Sequence, residues 1–115
     1  MELTINKNKF KVKVVMSPKD TSKGMMKKQF DDTFNGMLFI MSEGQHCFWM
    51  KNCIISLDII MIEDDVIKKI HHNCPPCKSD DCRNYCGEGD MILELQGGTC
   101  RKLGIKSGDK VNTLD

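Results

Sequence analysis

The sequence predicts a single, mainly β domain with one or two short helices, and three observations carry that expectation. Apolar residues come in short runs broken by turn-forming residues, as in Met37 to Met41, Cys47 to Met50 and Leu57 to Glu63, a length and punctuation that suit strands rather than helices. Lys7, Lys9, Lys11 and Lys13 alternate with Phe10, Val12 and Val14, the pattern of a strand with one face in solvent. The 115 residues are 40% apolar and 29% charged, within the globular range, so neither a disordered nor a fibrous chain is expected. A domain of this size buries roughly two-thirds of the surface its unfolded chain exposes and folds without staples.

Leu3 to Ile5 and Phe10 to Val15 flank Asn6-Lys7-Asn8-Lys9, which reads as a hairpin turn because Asn tolerates positive φ. Ser17-Pro18 reads as a helix N-cap followed by proline at the first helical position, with Asp20 in the first turn. The helix is expected to reach about Gln29, weakened near its middle by Gly24 at a cost of about 1 kcal/mol relative to alanine and held by Met25 and Met26 against the sheet. In the third apolar run Leu57, Ile59 and Met61 share one face while Asp58, Ile60 and Ile62 share the other, so the strand should be covered on both sides. Asp64-Asp65 turns tightly into a partner strand, Val66 to Ile70. Residues 73–90 hold four of the seven cysteines and read as one long loop, a feature that is usually functional or cross-linked in a compact domain. A last strand, Met91 to Leu95, leads through Gln96-Gly97-Gly98 to a helical turn, Cys100 to Leu103, capped by Thr99. Gly104 suits the left-handed residue after a helix end, and Gly108 a turn into the closing strand.

No apolar run approaches the ~20 residues of a membrane span. The opening Met-Glu-Leu-Thr-Ile-Asn-Lys lacks the basic and apolar regions of a signal peptide, so an intracellular protein is expected, although a trimmed exported chain would read the same. Residues 1–30 carry eight Lys against Glu2 and Asp20, a net +6, while the remainder sums to −5. The alternating lysines are assigned to a solvated strand face, and a nucleic-acid partner is not expected.

The series Gly24-Met25-Met26, Gly36-Met37-Leu38-Phe39, Phe48-Trp49-Met50-Lys51-Asn52, Leu57-Asp58-Ile59, Leu93-Glu94-Leu95, Gly97-Gly98 and Leu103-Gly104-Ile105…Gly108-Asp109 resembles, in order and over nearly the whole chain, the domains of unknown function numbered 192 (DUF192). The resemblance implies a small antiparallel β-barrel or jelly-roll-like sandwich with one or two short helices, and no assigned reaction or cofactor. Cys53 departs from the threonine or small residue that such sequences commonly show after Lys-Asn.

Candidate site residues come from the strands around the only tryptophan. If Phe48 and Met50 face the core, Trp49 and Lys51 lie on the opposite face, where an indole beside an ammonium and the Asn52 amide could line a pocket for a small polar ligand. The structural reading is that Trp49 is core and Lys51 pairs with Asp58, since a carboxylate amid Leu57, Ile59 and Ile60 needs a partner. Glu94, between Leu93 and Leu95, is either a solvated strand residue or a second carboxylate facing Asp58 across a pocket. Trp49, Lys51, Asn52, Asp58 and Glu94 are therefore the candidate ligand-binding residues of a binding or accessory module. The alternatives are a small enzyme with Asp58 or Glu94 as general base, and a zinc- or disulfide-stapled interaction module with a protein partner.

Cys74, Cys77, Cys82 and Cys86, with His71 and His72 just upstream, could form a tetrahedral zinc site. Alternatively, a four-residue turn at 78–81 places Cys77 opposite Cys82 within reach of a disulfide, and the loop resembles one that carries such a pair in some DUF192 members. Pairing Cys74 with Cys86 would need a one-residue bulge. Free thiols are the third alternative. Cys47, Cys53 and Cys100 are expected to be small core residues, and the nine methionines core filler.

Overall fold

The computed structural model describes residues 1–114. Seven strands form one sheet in the order β6 (Val66–Cys74), β5 (Leu57–Glu63), β8 (Met91–Gln96), β3 (Gly36–Ile40), β2 (Asn8–Val15), β1 (Glu2–Ile5) and β9 (Val111–Leu114). The sheet curls until its edges meet: Val66 bridges Lys110, Ile67 N–H donates to Asp109 O and Gly108 N–H to Ile67 O. A barrel-like closure leaves no long unpaired edge there. Neighbouring strands are antiparallel except β2 and β3, which run parallel. Parallel strands need a crossover, and residues 16–35, including helix α1 (Pro18–Lys23), supply it.

Two turns are read directly from residue type. Asn6 and Lys7 both take positive φ between β1 and β2, as do Asp64 and Asp65 between β5 and β6, the geometry whose twist matches a two-residue hairpin. Along β2, Phe10 and Val12 are buried while Lys9, Lys11 and Lys13 are exposed, but Val14, expected on the buried face, is exposed and Val15 is buried instead, so the alternation slips by one residue at the end of the strand. Ser17 caps α1, accepting from Asp20 N–H at 3.1 Å, but the helix stops at Lys23 rather than near Gln29. Gly24 at φ +45 ends it, so this glycine terminates the helix instead of weakening its middle.

The expected 73–90 loop is strand at 73–74 and 84–88. β6 runs on to Cys74, and β7 (Asn84–Glu88) pairs with β4 (Gln45–Trp49) in a separate two-stranded ribbon. Residues 75–83 and 89–90 remain outside the strands, with Cys77 in an isolated bridge to Lys51. The spacing of polar and Gly residues hid β7, because its stabilising partner lies some forty positions away in sequence rather than beside it. Cys47 and Cys86 stand directly opposite in that ribbon and are joined by a disulfide; Cys77 and Cys82 form a second. Cys47 is thus bridged, not a small core residue.

Two cores result. Leu3, Ile5, Phe10, Leu38, Ile60, Ile62, Leu93 and Leu95 fill the barrel. Met25, Met37, Phe39, Met50, Leu57, Ile59, Met61, Tyr85 and Ile92 fill a second layer between the sheet's outer face and the β4–β7 ribbon. His71 bonds Cys86 O at 2.8 Å, which ties the ribbon to β6.

The Cys47–Cys86 bridge closes a separation of 39 residues, against 5 for Cys77–Cys82. Chain entropy then makes the ribbon bridge worth about 2–4 kcal/mol and the short one about 1–2. Urea unfolding of Cys47→Ala/Cys86→Ala should therefore show the larger loss; equal losses would assign the bridges no such difference.

Candidate functional site

Glu94 sits mid-sheet on β8, opposite Met37 of β3 and Ile59 of β5. Its neighbours Leu93 and Leu95 enter the barrel core, so strand alternation turns Glu94 to the outer layer. It is 3% exposed, and its Oε1 has no hydrogen-bond partner among the described residues. No described ion pair includes it. Burial alone pushes its carboxyl up to about 8, because the charged form loses its hydration without gaining a partner.

Above Glu94 opens a cleft of about 410 Å³. Its walls are the C-terminal turn of α1 (Thr21 to Gly24), Met25 and Met26, Phe39 and Met41, the His46 to Trp49 stretch of β4, and Cys53. Phe48 packs edge-on against Phe39 with ring centroids 4.9 Å apart, which fixes the apolar wall. Trp49, on the other side of the strand, stays 45% exposed at the rim. The Cys53 thiol is held up at about 11, by burial first and the charge of Glu94 second. A thiol held that high stays protonated and is a poor nucleophile.

Of the sequence-derived candidates, Trp49 and Glu94 share this cleft; Lys51, Asn52 and Asp58 do not line it. Lys51 does not pair with Asp58. Its ammonium donates to Ser79 O at 2.6 Å and meets Asp80 at 2.7 Å, holding the loop stapled by Cys77–Cys82. Asn52 is a backbone node with φ +62; its N–H donates to Cys77 O and its C=O accepts from Lys27 N–H.

Asp58 and Glu94 lie on opposite faces of the sheet, because Asp58 stands opposite Leu95 and Ile59 opposite Glu94. They cannot work as a carboxylate pair across one pocket. Asp58, fully buried, accepts backbone N–H bonds from Asn73 at 2.8 Å and Gly98 at 3.1 Å through Oδ1, and from Cys100 at 2.8 Å through Oδ2. It thereby caps α2 (Thr99–Leu103) from another strand. Thr99 does not cap this helix; its hydroxyl donates to Gln96 O, and the N-cap residue is Gly98 at φ +92. That positive φ needs glycine, and a Cβ on Gly97 would stand 2.9 Å from Ser56 Cβ.

The four-thiolate zinc set is not available. Cys77 and Cys82 are bonded to each other, Cys86 to Cys47, and only Cys74 of the set is a free thiol, buried near Tyr85. Glu43, Asp64 and Asp90 bring three carboxylates together at the surface, an all-oxygen donor set that suits hard cations better than zinc. No cofactor is established by either arrangement.

The profile of DUF192, an uncharacterized ACR family, matches residues 1–113. The chain belongs to the DUF192 family. Among solved structures, this DUF192 domain is similar to a protein of unknown function from Novosphingobium aromaticivorans DSM 12444, with 29% identity and a TM-score of 0.84 over 97% of this chain and 84% of that one. It is also similar to a proposed transcription regulator from Sinorhizobium meliloti 1021, at 28% identity and a TM-score of 0.82 over 96% and 89% of the two chains. No curated protein matches the chain. The mainly β, barrel-like fold expected from the resemblance is thus the observed one.

The wall residues Thr21 to Met26, Phe39, Met41 and His46 were outside the sequence-derived candidates. Gly24-Met25-Met26 held a signal, since two methionines directly after a helix terminator must pack somewhere other than along a helix face.

Proposed function

We propose that this DUF192 domain binds a small molecule in the cleft above Glu94, with Glu94 as the recognition group and Trp49 at the entrance. The observation that supports this most strongly is the buried, unpartnered Glu94 carboxyl at the base of a mostly apolar cleft. An orphaned buried polar group costs stability, and a ligand that pairs with it recovers that cost. A few convergent polar groups in an apolar cavity is the usual makeup of a ligand site.

A second reading, a general acid–base enzyme using Glu94, is favoured by a carboxyl held near the pH at which proton transfer is most efficient. Turnover that disappears in Glu94→Gln while binding persists would favour it over a binding module. The two disulfides support an oxidising compartment, against the intracellular expectation. No described helix is long and apolar enough to cross a membrane.

The test is an NMR-detected screen of amphipathic fragments. Shift changes should concentrate at residues 21–26, 39, 46–49, 53 and 94, and Met26→Trp, which fills the cleft, should weaken binding at least about tenfold. Hits that perturb other surfaces, or bind Met26→Trp equally well, would contradict the proposal.

A further inference from the structure

We propose that the ligand of this cleft is an organic cation, an amine or ammonium group on an apolar body, with Glu94 as its counter-ion; this rests on the cleft being a binding site. Three features converge on that charge. Glu94 is the buried acid at the base and lacks any described cationic partner. Phe39, Phe48 and Trp49 line the cleft with Met25, Met26 and Met41, and the negative faces of aromatic rings attract cations. One wall is the C-terminal turn of α1, the negative pole of that helix, where the chain's own Lys28 ammonium already donates to Gly24 O at 3.3 Å. An anion would meet all three unfavourably. A neutral ligand would leave the aromatic and helix-end contributions unused.

Ion pairing requires ionised Glu94, so a bound cation displaces one proton to the buffer. The groups facing Glu94 from neighbouring elements are few. Met37 and Ile59 flank it in the sheet, and Cys53 and Cys74 present thiols held protonated at about 11. Lys23 and His46 line the cleft from α1 and β4, and the Lys28 ammonium is held at its margin on Gly24 O.

The experiment uses one skeleton in three charge states: phenethylammonium, 2-phenylethanol and phenylacetate, titrated into the whole domain by calorimetry and Trp49 fluorescence. Phenethylammonium, charged throughout the range, should tighten about tenfold per pH unit up to about pH 8, level off, and release about one proton near pH 7. At about pH 9 it should bind at least about tenfold more tightly than 2-phenylethanol, and phenylacetate should bind weakest. Glu94→Gln should remove both the slope and the preference. Lys23→Ala should strengthen the cation about two- to threefold at low salt. If 2-phenylethanol or phenylacetate binds best at pH 9 while shift changes still map to the cleft, the cation assignment fails and the binding site stands. A pH slope that survives unchanged in Glu94→Gln overturns the role of Glu94. If none of the three probes binds, and the fragment screen gives no cleft-specific hit, both the assignment and the site are overturned.

Discussion

Asp58→Ala should lose about 2–5 kcal/mol of stability, because three backbone donors, the buried one of Cys100 and the part-buried ones of Asn73 and Gly98, lose their acceptor at once. Against a typical domain stability of about 5–15 kcal/mol, that brings the fold close to its threshold. The loss is concentrated where β5, the end of β6 and the start of α2 meet, so α2 amides should exchange hydrogen first. Asp58→Asn is the finer probe. An amide whose oxygen replaces Oδ1 keeps the Asn73 and Gly98 bonds but turns an NH2 toward Cys100 N–H, so an intermediate loss of about 2–3 kcal/mol is expected. Denaturant unfolding measures both. A loss below about 1 kcal/mol for Asp58→Ala would mean that solvent or a rearranged loop satisfies those donors.

Glu94→Gln should have the opposite sign. The Glu94 carboxyl is raised from 4.5 to about 8 on folding, so between those values the unfolded chain gives up a proton that the folded one keeps. Stability therefore falls as pH rises through that window and levels off above about pH 8. Glutamine, an uncharged near-isostere of the protonated acid, removes this slope. The variant should match the parent near pH 4.5 and exceed it by about 3–5 kcal/mol above pH 8. Parallel stability curves for parent and variant across pH 4.5–9 would show that the carboxyl is hydrated or paired.

Local signals predicted local structure well in this chain. The Lys–apolar alternation of β2 as far as Lys13, the two positive-φ turns, the Ser17 cap and the two-faced Leu57–Glu63 strand each depend on neighbours in sequence. What the residues could not reveal depends on pairing over distance. The ribbon β4–β7 joins segments nearly forty residues apart, whereas local spacing offers Cys86 only the cysteines of its own loop. Sequence periodicity put Asp58 and Glu94 each on a definite face of its own strand, but only the β5–β8 register says that those faces are opposite. Lys51 and Asp58 share a motif neighbourhood, yet the chain turns at Asn52 and carries Lys51 to the stapled loop. Glu94 was legible as a carboxylate between two leucines; that it is unpaired required the sheet to be assembled around it.

The most direct measurement is a carbon-13 NMR titration of the Glu94 side-chain carboxyl in the free domain. The account predicts a midpoint near 8, with the signal lost in Glu94→Gln. A midpoint within the ordinary glutamate range, about 4–5, would mean that Glu94 is hydrated or already has a partner, and would contradict the claim that it waits unpaired for a ligand.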